Sequence, residues 1–184
     1  LISNNYSRGS ITATEVDRWS GNYNVGGIIG DLKTDWSGST TIVATGNLAA
    51  IESVTLPENA EAKAVHRIVG RSIADEEWME GEEPRTEVGL ANNYAIVEMT
   101  INGATTTSQD ATTVEGADVA GADLSDDFFK GTLGFAYGTT AEEPWKATET
   151  AFPILFFENV ATDITLDKTM AEMVADGENR LPAP

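Results

Sequence analysis

The sequence predicts an all-β chain built from repeats that return about every 40 residues. Short segments rich in Val, Ile and Thr, such as "TTIVAT" and "ESVTL", are bounded by Gly, Asn, Asp and Ser, a composition typical of strands joined by turns. Repeats of this length are too short to bury a hydrophobic face alone, so successive copies must stack. We therefore expect a parallel β-helix, or solenoid, of about three coils.

The first repeated element begins with asparagine and ends with threonine. Its copies are "NNYSRGSIT" (Asn4–Thr12), "NLAAIESVT" (Asn47–Thr55) and "NNYAIVEMT" (Asn92–Thr100). Asparagine tolerates the left-handed backbone conformation and bonds to nearby backbone, which suits a corner between strands. Stacked copies then predict a ladder of side-chain amides formed by Asn4, Asn47 and Asn92.

The second repeated element is rich in glycine, with "VGGIIG" (Val25–Gly30) echoed 40 residues later by "VHRIVG" (Val65–Gly70). A dinucleotide or phosphate loop needs G-x-G-x-x-G or G-x-x-x-x-G-K-[ST] before a helix. Here the order is G-G-x-x-G, and the following "DLKTDWSGS" has no helix-forming character. We therefore interpret Gly26, Gly27 and Gly30 as positions where one chain segment packs closely on another.

The pattern changes after the third copy, where large aromatic residues concentrate. We expect this region to form a cap that hides the open end of the solenoid and its edge strands. The aromatic residues are Phe128, Phe129, Phe135, Tyr137, Trp145 and Phe152. The sequence divides into a repeat domain with its closing unit, residues 1–158, and a tail or connector, residues 159–184. Within the tail, the apolar spacing of Leu166–Gly177 predicts a short helix.

Composition limits the possible partners. The 184 residues carry a formal net charge of −19, which repels nucleic-acid backbones and anionic membrane surfaces. The chain has no cysteine, so disulfides, thiol nucleophiles and thiolate metal sites are excluded. No apolar run reaches the roughly 20 residues that span a bilayer. Because the sequence starts at Leu1 without a methionine, we expect it to be part of a longer polypeptide.

Residues for catalysis or metal binding form no recognisable pattern. His66 is the single histidine; without a partner motif such as H-E-x-x-H or G-x-S-x-G, we interpret it as a strand-end residue beside a surface charge, Arg67. Paired carboxylates can hydrolyse polysaccharides on a β-helix, and "DLSDD" could offer oxygen ligands to calcium but lacks the EF-hand order. We predict no catalytic, cofactor or metal residues. The carboxylates considered are Asp31, Asp35, Asp123, Asp126 and Asp127.

Three tryptophans lie in polar segments between the predicted strands. Trp19, Trp36 and Trp78 are the candidate partner contacts, because an exposed aromatic face can stack on a sugar or anchor a protein. The other interpretation is that these rings lie flat over the edge of the solenoid.

The glycine motif and the segment that follows resemble the GLUG-motif repeat proteins of bacterial cell surfaces. Gly27–Gly30 matches Gly-Leu-hydrophobic-Gly with isoleucine for leucine, whereas Arg67–Gly70 has lost the first glycine. The stretch from Asn92 to Leu155 is similar to the closing unit that follows such repeats, with Phe129 and Phe135 where tryptophan is frequent. The resemblance spans Leu1–Leu155 and implies a secreted or cell-surface, adhesin-like protein with a parallel β-solenoid; it implies no catalytic residue.

The sequence therefore favours a non-catalytic module, adhesin-like or a stalk, that presents loops to a host glycan, matrix or surface protein. One alternative is a carbohydrate-active β-helix enzyme that uses paired carboxylates. The other is a purely structural spacer within a larger secreted protein.

Overall fold

The computed structural model describes residues 1–13, 22–32, 40–57, 61–72 and 86–157. These residues form strands and almost no helix, so the predicted all-β class is confirmed. The strands are β1 (Ile2–Ser3), β2 (Tyr6–Thr12), β3 (Asn22–Gly26), β4 (Ile29–Leu32), β5 (Thr40–Thr45), β6 (Leu48–Thr55), β7 (Glu61–His66), β8 (Val69–Ser72), β9 (Thr86–Ala91), β10 (Tyr94–Ile96), β11 (Thr100–Ile101), β12 (Ala104–Thr105), β13 (Ala117–Val119), β14 (Trp145–Lys146) and β15 (Ile154–Leu155). Two short helical turns lie at Gly121–Asp123 and Phe128–Thr132.

Strands of one repeat pair in parallel with the corresponding strands of the next. Strand β1 pairs with β5 and β5 with β9, while β2 pairs with β6 and β6 with both β10 and β11. On the remaining sides, β3 pairs with β7 and β4 with β8. Strand β10 is paired on its other edge with β13. The strands thus form three successive sets, and corresponding strands of neighbouring sets are paired. We call these sets the first pass (β1–β4), the second pass (β5–β8) and the third pass (from β9 onward).

The glycine motif has the predicted register. Val25 pairs with Val65 and Ile29 with Val69. A Cβ atom on Gly27 would collide with the Arg67 carbonyl oxygen of the next pass, so glycine is required by the close approach of two backbones. The turn joins two strands rather than a strand and a helix, in agreement with its interpretation as a packing element.

The asparagine motif is displaced by one residue from the predicted alignment. Tyr6 and Tyr94 both pair with Leu48, so the stacked asparagines are Asn5, Asn47 and Asn93. The predicted ladder of Asn4, Asn47 and Asn92 is therefore wrong at its two outer positions. In the first copy the cause is a register shift between Gly9 and Ser10, which a gapless alignment cannot represent. In the third copy the register to β6 changes separately, between the pairs Tyr94–Leu48 and Thr100–Ser53.

The ladder runs in one direction through the three asparagines. Asn5 donates its N–H and Nδ2 to Asn47 Oδ1 at 3.2 and 3.1 Å, and Asn47 donates the same two groups to Asn93 Oδ1 at 3.3 and 2.9 Å. Each later Nδ2 also donates to a carbonyl of the preceding pass, from Asn47 to Ile2 and from Asn93 to Ala44. Asn47 and Asn93 are fully buried, and these bonds offset the cost of burying their amides.

The residue before each ladder asparagine has a left-handed backbone. Asn4, Gly46 and Asn92 have φ of 56°, 67° and 55°, which confirms the predicted use of asparagine at the corner. Asn4 Nδ2 donates to the Leu133 carbonyl at 2.8 Å, and Asn92 Nδ2 donates to the Thr132 carbonyl. The end of the helical turn Phe128–Thr132 is thereby fastened to the corner of two separate passes.

Side chains on β6 alternate between two hydrophobic clusters. Ala49 and Ile51 face the inner cluster, and Leu48 and Ala50 face an aromatic cluster on the opposite side of the sheet. The buried members of the inner cluster are Leu32, Ala49, Ile51, Val54, Leu56, Ile68, Val69, Ala95 and Met99. The aromatic cluster is built around Tyr6, Leu48, Tyr94, Phe128, Phe129, Phe135, Tyr137, Trp145 and Phe152.

The aromatic cluster covers the outer face of the sheet. Tyr6, Leu48 and Tyr94 come from three adjacent paired strands, and all of them contact the cluster. The expectation that these aromatics cap the end of the stack is therefore wrong. In the ladder register, a large residue follows each stacked asparagine, and these residues (Tyr6, Leu48 and Tyr94) form a row on the outer face of the sheet. Burial of this row under the aromatic cluster removes its apolar surface from water.

The third pass is closed by residues 104–119. The Val114 carbonyl accepts the N–H groups of Ile68 and Val69 at 2.9 and 3.1 Å, just as the Ile68 carbonyl accepts those of Ile28 and Ile29 at 3.1 and 3.0 Å. The segment "TVEG", residues 113–116, therefore takes the place of a third glycine turn.

The predicted helix at Leu166–Gly177 and the tail 159–184 lie outside the described residues. The helical turn Phe128–Thr132 was not predicted from the sequence. Within the described ranges, no helix has the length and apolar character needed to cross a membrane.

We predict that Gly46→Ala destabilises the protein more than Gly103→Ala. Both glycines have positive φ, 67° and 80°, but a Cβ at Gly46 would collide with the Leu133 carbonyl oxygen, whereas Gly103 has open space around it. Gly103→Ala then costs about 1 kcal/mol of unfolding free energy for backbone strain, and Gly46→Ala about 3 kcal/mol for strain and collision together. Urea denaturation measures both; equal losses would contradict the docking of the helical turn at Gly46.

Candidate functional site

The three candidate tryptophans lie in connections outside the described residues, but the ends of these connections are described. The connections that contain Trp36 and Trp78 leave the sheets at the paired residues Leu32 and Ser72. They rejoin the sheets at the paired residues 40 and 86. Trp19 lies in a different connection, between β2 and β3. The fourth tryptophan of the chain packs in the aromatic cluster.

The carboxylates considered for catalysis or calcium are dispersed. Asp31 accepts a hydrogen bond from Asn24 at 3.0 Å and lies 3.5 Å from Arg71. Asp126 accepts the Tyr137 hydroxyl at 3.0 Å; burial, together with this carboxylate, raises the pKa of Tyr137. Asp123 and Asp127 are exposed.

Asp35 lies outside the described residues. Within the described ranges, no three His, Cys, Asp or Glu side chains come together in a way that could hold a metal ion.

A charged cluster forms where the second glycine turn meets the closing segment. Arg67 is fully buried; its Nη1 donates to Asp118 Oδ1 at 2.7 Å, and its Nη2 to the Gly116 carbonyl at 3.1 Å. The Arg67 amide donates to Glu115 Oε2 at 3.1 Å, and His66 Nδ1 lies 2.6 Å from Glu115 Oε1. Asp118 also accepts the Ser108 amide at 3.0 Å.

Glu115 has a shifted pKa in this cluster. Burial alone raises the pKa of Glu115, but the hydrogen bonds from His66 and the Arg67 amide, together with the positive charges of both side chains, outweigh it. The pKa therefore lies below its usual value of 4.5. A carboxylate held ionised in this way accepts hydrogen bonds from its neighbours and does not act as a proton donor at neutral pH.

The cluster connects the second pass to the closing segment. The interpretation of Arg67 as a surface charge is wrong, because its guanidinium fills the space beside Gly116 and bonds to residues 115–118. In the first pass, this turn position is Gly27, which allows close backbone contact. In the second pass it is Arg67, whose buried guanidinium binds residues 116 and 118 of the segment that takes the place of the third turn. Perturbed titratable groups also mark functional sites, but here each charged group is engaged by a structural partner.

An open groove lies on the outer face of the sheet beside the aromatic cluster. Its volume is about 530 Å³. The Arg8 guanidinium lies 4.2 Å above the centre of the Phe152 ring, a cation–π contact that fixes both side chains. The groove is lined by Arg8, Gly9, Ala50, Glu52, Ile96, Gly121, Leu124 and Phe152. The groove thus combines one carboxylate, Glu52, and one cation, Arg8, with mostly apolar residues.

A second cleft, of about 330 Å³, lies at the first corner of the ladder. It is bounded by Ser3, Asn4 and Asn5 on one side and by Gly134, Ala136, Ala141, Glu142, Pro144 and Trp145 on the other. This cleft could not be predicted from the sequence, because residues more than 100 positions apart meet there. The signal present in the sequence was the Asn-Asn pair that starts the first and third copies.

Comparison with known proteins gives no relative. No protein-family model matches the chain, and neither the curated proteins nor the solved structures searched contain a match.

We predict that Glu115→Gln lowers stability at neutral pH and not at low pH. The folded-state pKa of Glu115 lies below its usual value of 4.5, so its contribution is present above that value and is lost as the pH falls through the folded pKa. The unfolding free energies of wild type and variant then differ by about 1–2 kcal/mol at pH 7 and converge at low pH, once the pH has fallen below the folded-state pKa.

Denaturation at both pH values provides this measurement. A difference that stays constant while the pH falls from 7 to well below 4.5 would contradict the ionised state of Glu115.

We predict that Arg67→Met costs about 3 kcal/mol, because removal of one partner leaves buried acceptors without a donor. Arg71→Met is the matched control: Arg71 is 32% exposed and lies 3.5 Å from Asp31, so its loss is below about 1 kcal/mol. Chemical denaturation gives both values, and limited proteolysis of residues 104–119 tests whether the closing segment is released. Similar losses of unfolding free energy for the two variants would show that the buried cluster of Arg67 stabilises the fold no more than the partly exposed ion pair of Arg71.

Proposed function

We propose that the chain is a non-catalytic, surface-exposed module of a bacterial GLUG-type repeat protein, and that it presents loops to a host glycan, matrix or protein partner. Its architecture in this proposal is a short parallel β-solenoid of about three coils. The site of contact is formed by the polar connections that carry Trp36 and Trp78, with Trp19 as a separate contact.

Several observations support the solenoid. The strands that pair between successive repeats are parallel, and each set is advanced by one repeat of about 40 residues, as expected when coils stack on one another. The pairs β11–β12 and β14–β15, which do not join repeats, are antiparallel. Gly27 occupies a close approach between passes, which is a physical reason for the first glycine of the GLUG motif. Residues 113–116 occupy the corresponding turn in the closing unit.

The placement of the two long connections carries the functional proposal. They begin at Leu32 and Ser72 and end at residues 40 and 86, which are pairs of directly adjacent residues. The register therefore places the starts of the two polar segments next to each other, and likewise their ends, and each segment carries one tryptophan. Loops on a scaffold are the usual location of binding residues, and tryptophan in them favours recognition of a sugar or a protein surface.

The bonding of carboxylates to partners within the fold favours a binding role over catalysis. Asp31, Glu115, Asp118 and Asp126 each have a partner in the fold, so these carboxylates serve structural roles. The enzyme alternative would need a pair of free carboxylates facing one groove.

We predict that immobilised glycans or extracellular-matrix proteins bind the wild-type chain without being turned over. The double variant Trp36→Ala/Trp78→Ala should weaken binding by about tenfold or more, because buried aromatic anchors are worth 2 kcal/mol or more. Trp19→Ala, on another connection, is the matched control and should have the smaller effect. A glycan array followed by surface plasmon resonance measures this.

Three outcomes of this experiment would contradict the proposal. Release of shortened glycans would favour the carbohydrate-active alternative. Absence of binding to both the glycans and the matrix proteins would favour a purely structural spacer. Equal weakening by all tryptophan variants would contradict a contact shared by the connections of Trp36 and Trp78.

A further inference from the structure

The groove beside the aromatic cluster holds two charged side chains that have no counter-charge. The Arg8 guanidinium stacks on Phe152 at 4.2 Å from the ring centre, and Glu52 is an exposed carboxylate that lines the same groove. Among the ion pairs of the described residues, none includes Arg8 or Glu52. Stacking engages the face of a guanidinium and leaves the N–H donors at its edge free to bind a ligand.

A register shift gives Glu52 its place in the groove. Gly9 pairs with Ile51 and Ser10 with Ser53, so Glu52 is the extra residue of β6, opposite no residue of β2. Bulges of this kind re-aim a side chain and recur next to functional sites. Here the extra residue carries the carboxylate.

The strands set the distance between the two charged residues. Arg8 pairs with Ala50, and Glu52 is two positions further along β6. This offset is about 7 Å along the strand and about 5 Å across it, so the two Cα atoms lie about 8 Å apart. The contact with Phe152 places the Arg8 guanidinium over the outer face of the sheet, so the site uses this face and not the edge of β2.

The surface between the two charges is apolar. Ala50 is on β6, between the strand of Arg8 and the strand of Ile96. Leu124, from the segment that covers the sheet, lines the same space. The volume of about 530 Å³ is within the range of small-molecule sites, in which a few polar groups orient a ligand on an apolar surface.

Charge selects the class of ligand. The net charge of −19 repels an anion from the protein as a whole, and a cation in the groove would meet the unpaired Arg8. A ligand that carries one charge of each sign and no net charge pairs with both residues and avoids both penalties.

The groove is poorly suited to a quaternary ammonium group. Such groups are bound by the faces of aromatic rings. Phe152 is the single aromatic residue among the described residues that line the groove, and Arg8 occupies a face of its ring. The positive end of the ligand is therefore an ammonium group whose N–H donors suit the Glu52 carboxylate.

We propose that this groove binds a short zwitterionic peptide, namely a dipeptide with apolar side chains. Arg8 donates to the terminal carboxylate of the peptide, and the terminal ammonium of the peptide donates to Glu52. The apolar side chains lie on Ala50, Ile96 and Leu124. The ends of an extended dipeptide are about 6–7 Å apart, which matches the spacing of the two charged residues better than the about 3 Å between the charges of a single amino acid.

The test is isothermal titration calorimetry of the full chain with leucyl-leucine and two blocked forms of this dipeptide. N-acetyl-leucyl-leucine lacks the ammonium, and leucyl-leucine amide lacks the carboxylate. The free dipeptide should bind with a Kd of about 1 mM or lower. Each blocked form should bind about tenfold or more weakly, since one charge-assisted hydrogen bond is lost.

Two protein variants assign each end of the ligand to its residue. In Glu52→Gln, the free and N-acetylated dipeptides should bind equally, because the ammonium no longer has its partner. In Arg8→Met, the free dipeptide and its amide should bind equally for the corresponding reason. Glu87→Gln and Lys146→Met change exposed residues that do not line the groove and should leave the affinity unchanged. Thermal unfolding shows whether each variant retains the fold.

Three results would overturn the proposal. The first is the absence of saturable binding of leucyl-leucine up to about 10 mM. The second is equal binding of the free and blocked forms to the wild-type chain. The third is tighter binding of leucine itself than of leucyl-leucine, which would contradict the spacing of the two charges. None of these results depends on Trp36 or Trp78, so failure here and failure of the proposed function are distinguishable.

Discussion

The ladder of Asn5, Asn47 and Asn93, of which the last two are buried, sets the register on which the rest of the structure depends. Buried amides must be bonded or their burial costs free energy, and these amides are satisfied only when the three asparagines lie directly above one another. A shift by one residue would leave two buried side chains without partners and would turn every strand residue to the other face of its sheet. A polar constraint therefore decides how the hydrophobic strands align.

The two faces of the corner strands follow from this register. The residue after each asparagine points outward, so Tyr6, Leu48 and Tyr94 form an apolar row that the aromatic segment covers. The residue before each asparagine is left-handed, and the amides of Asn4 and Asn92 fasten the end of the helical turn. The helical turn and the aromatic segment thus bind to side chains and corners that come from separate parts of the chain.

Much of the fold could be predicted from local chemistry. Strand propensity and turn residues identified an all-β chain, and the exact spacing of the glycine motif gave the register of Val25 on Val65. The position of the asparagine ladder could not be derived in the same way, because a bulge adds a residue to one strand and leaves the sequence pattern unchanged. The role of Arg67 was hidden for a different reason: its partners, Glu115 to Asp118, are about 50 residues away and belong to a turn that has lost its glycine signature. The sites are harder still, since the clefts are lined by residues that meet only after the closing unit has folded over the sheet.

The most direct test of this account is the unfolding free energy of Asn47→Leu compared with that of Asn5→Leu. Asn47 is fully buried between two partners, whereas Asn5 is at the exposed end of the ladder. We expect a loss of about 3 kcal/mol or more for Asn47→Leu and about 1 kcal/mol for Asn5→Leu. Native-state hydrogen exchange should show that Asn47→Leu also lowers protection in all three passes at once. A loss below about 0.5 kcal/mol for Asn47→Leu would contradict the account, because hydrophobic packing alone would then be sufficient to set the register.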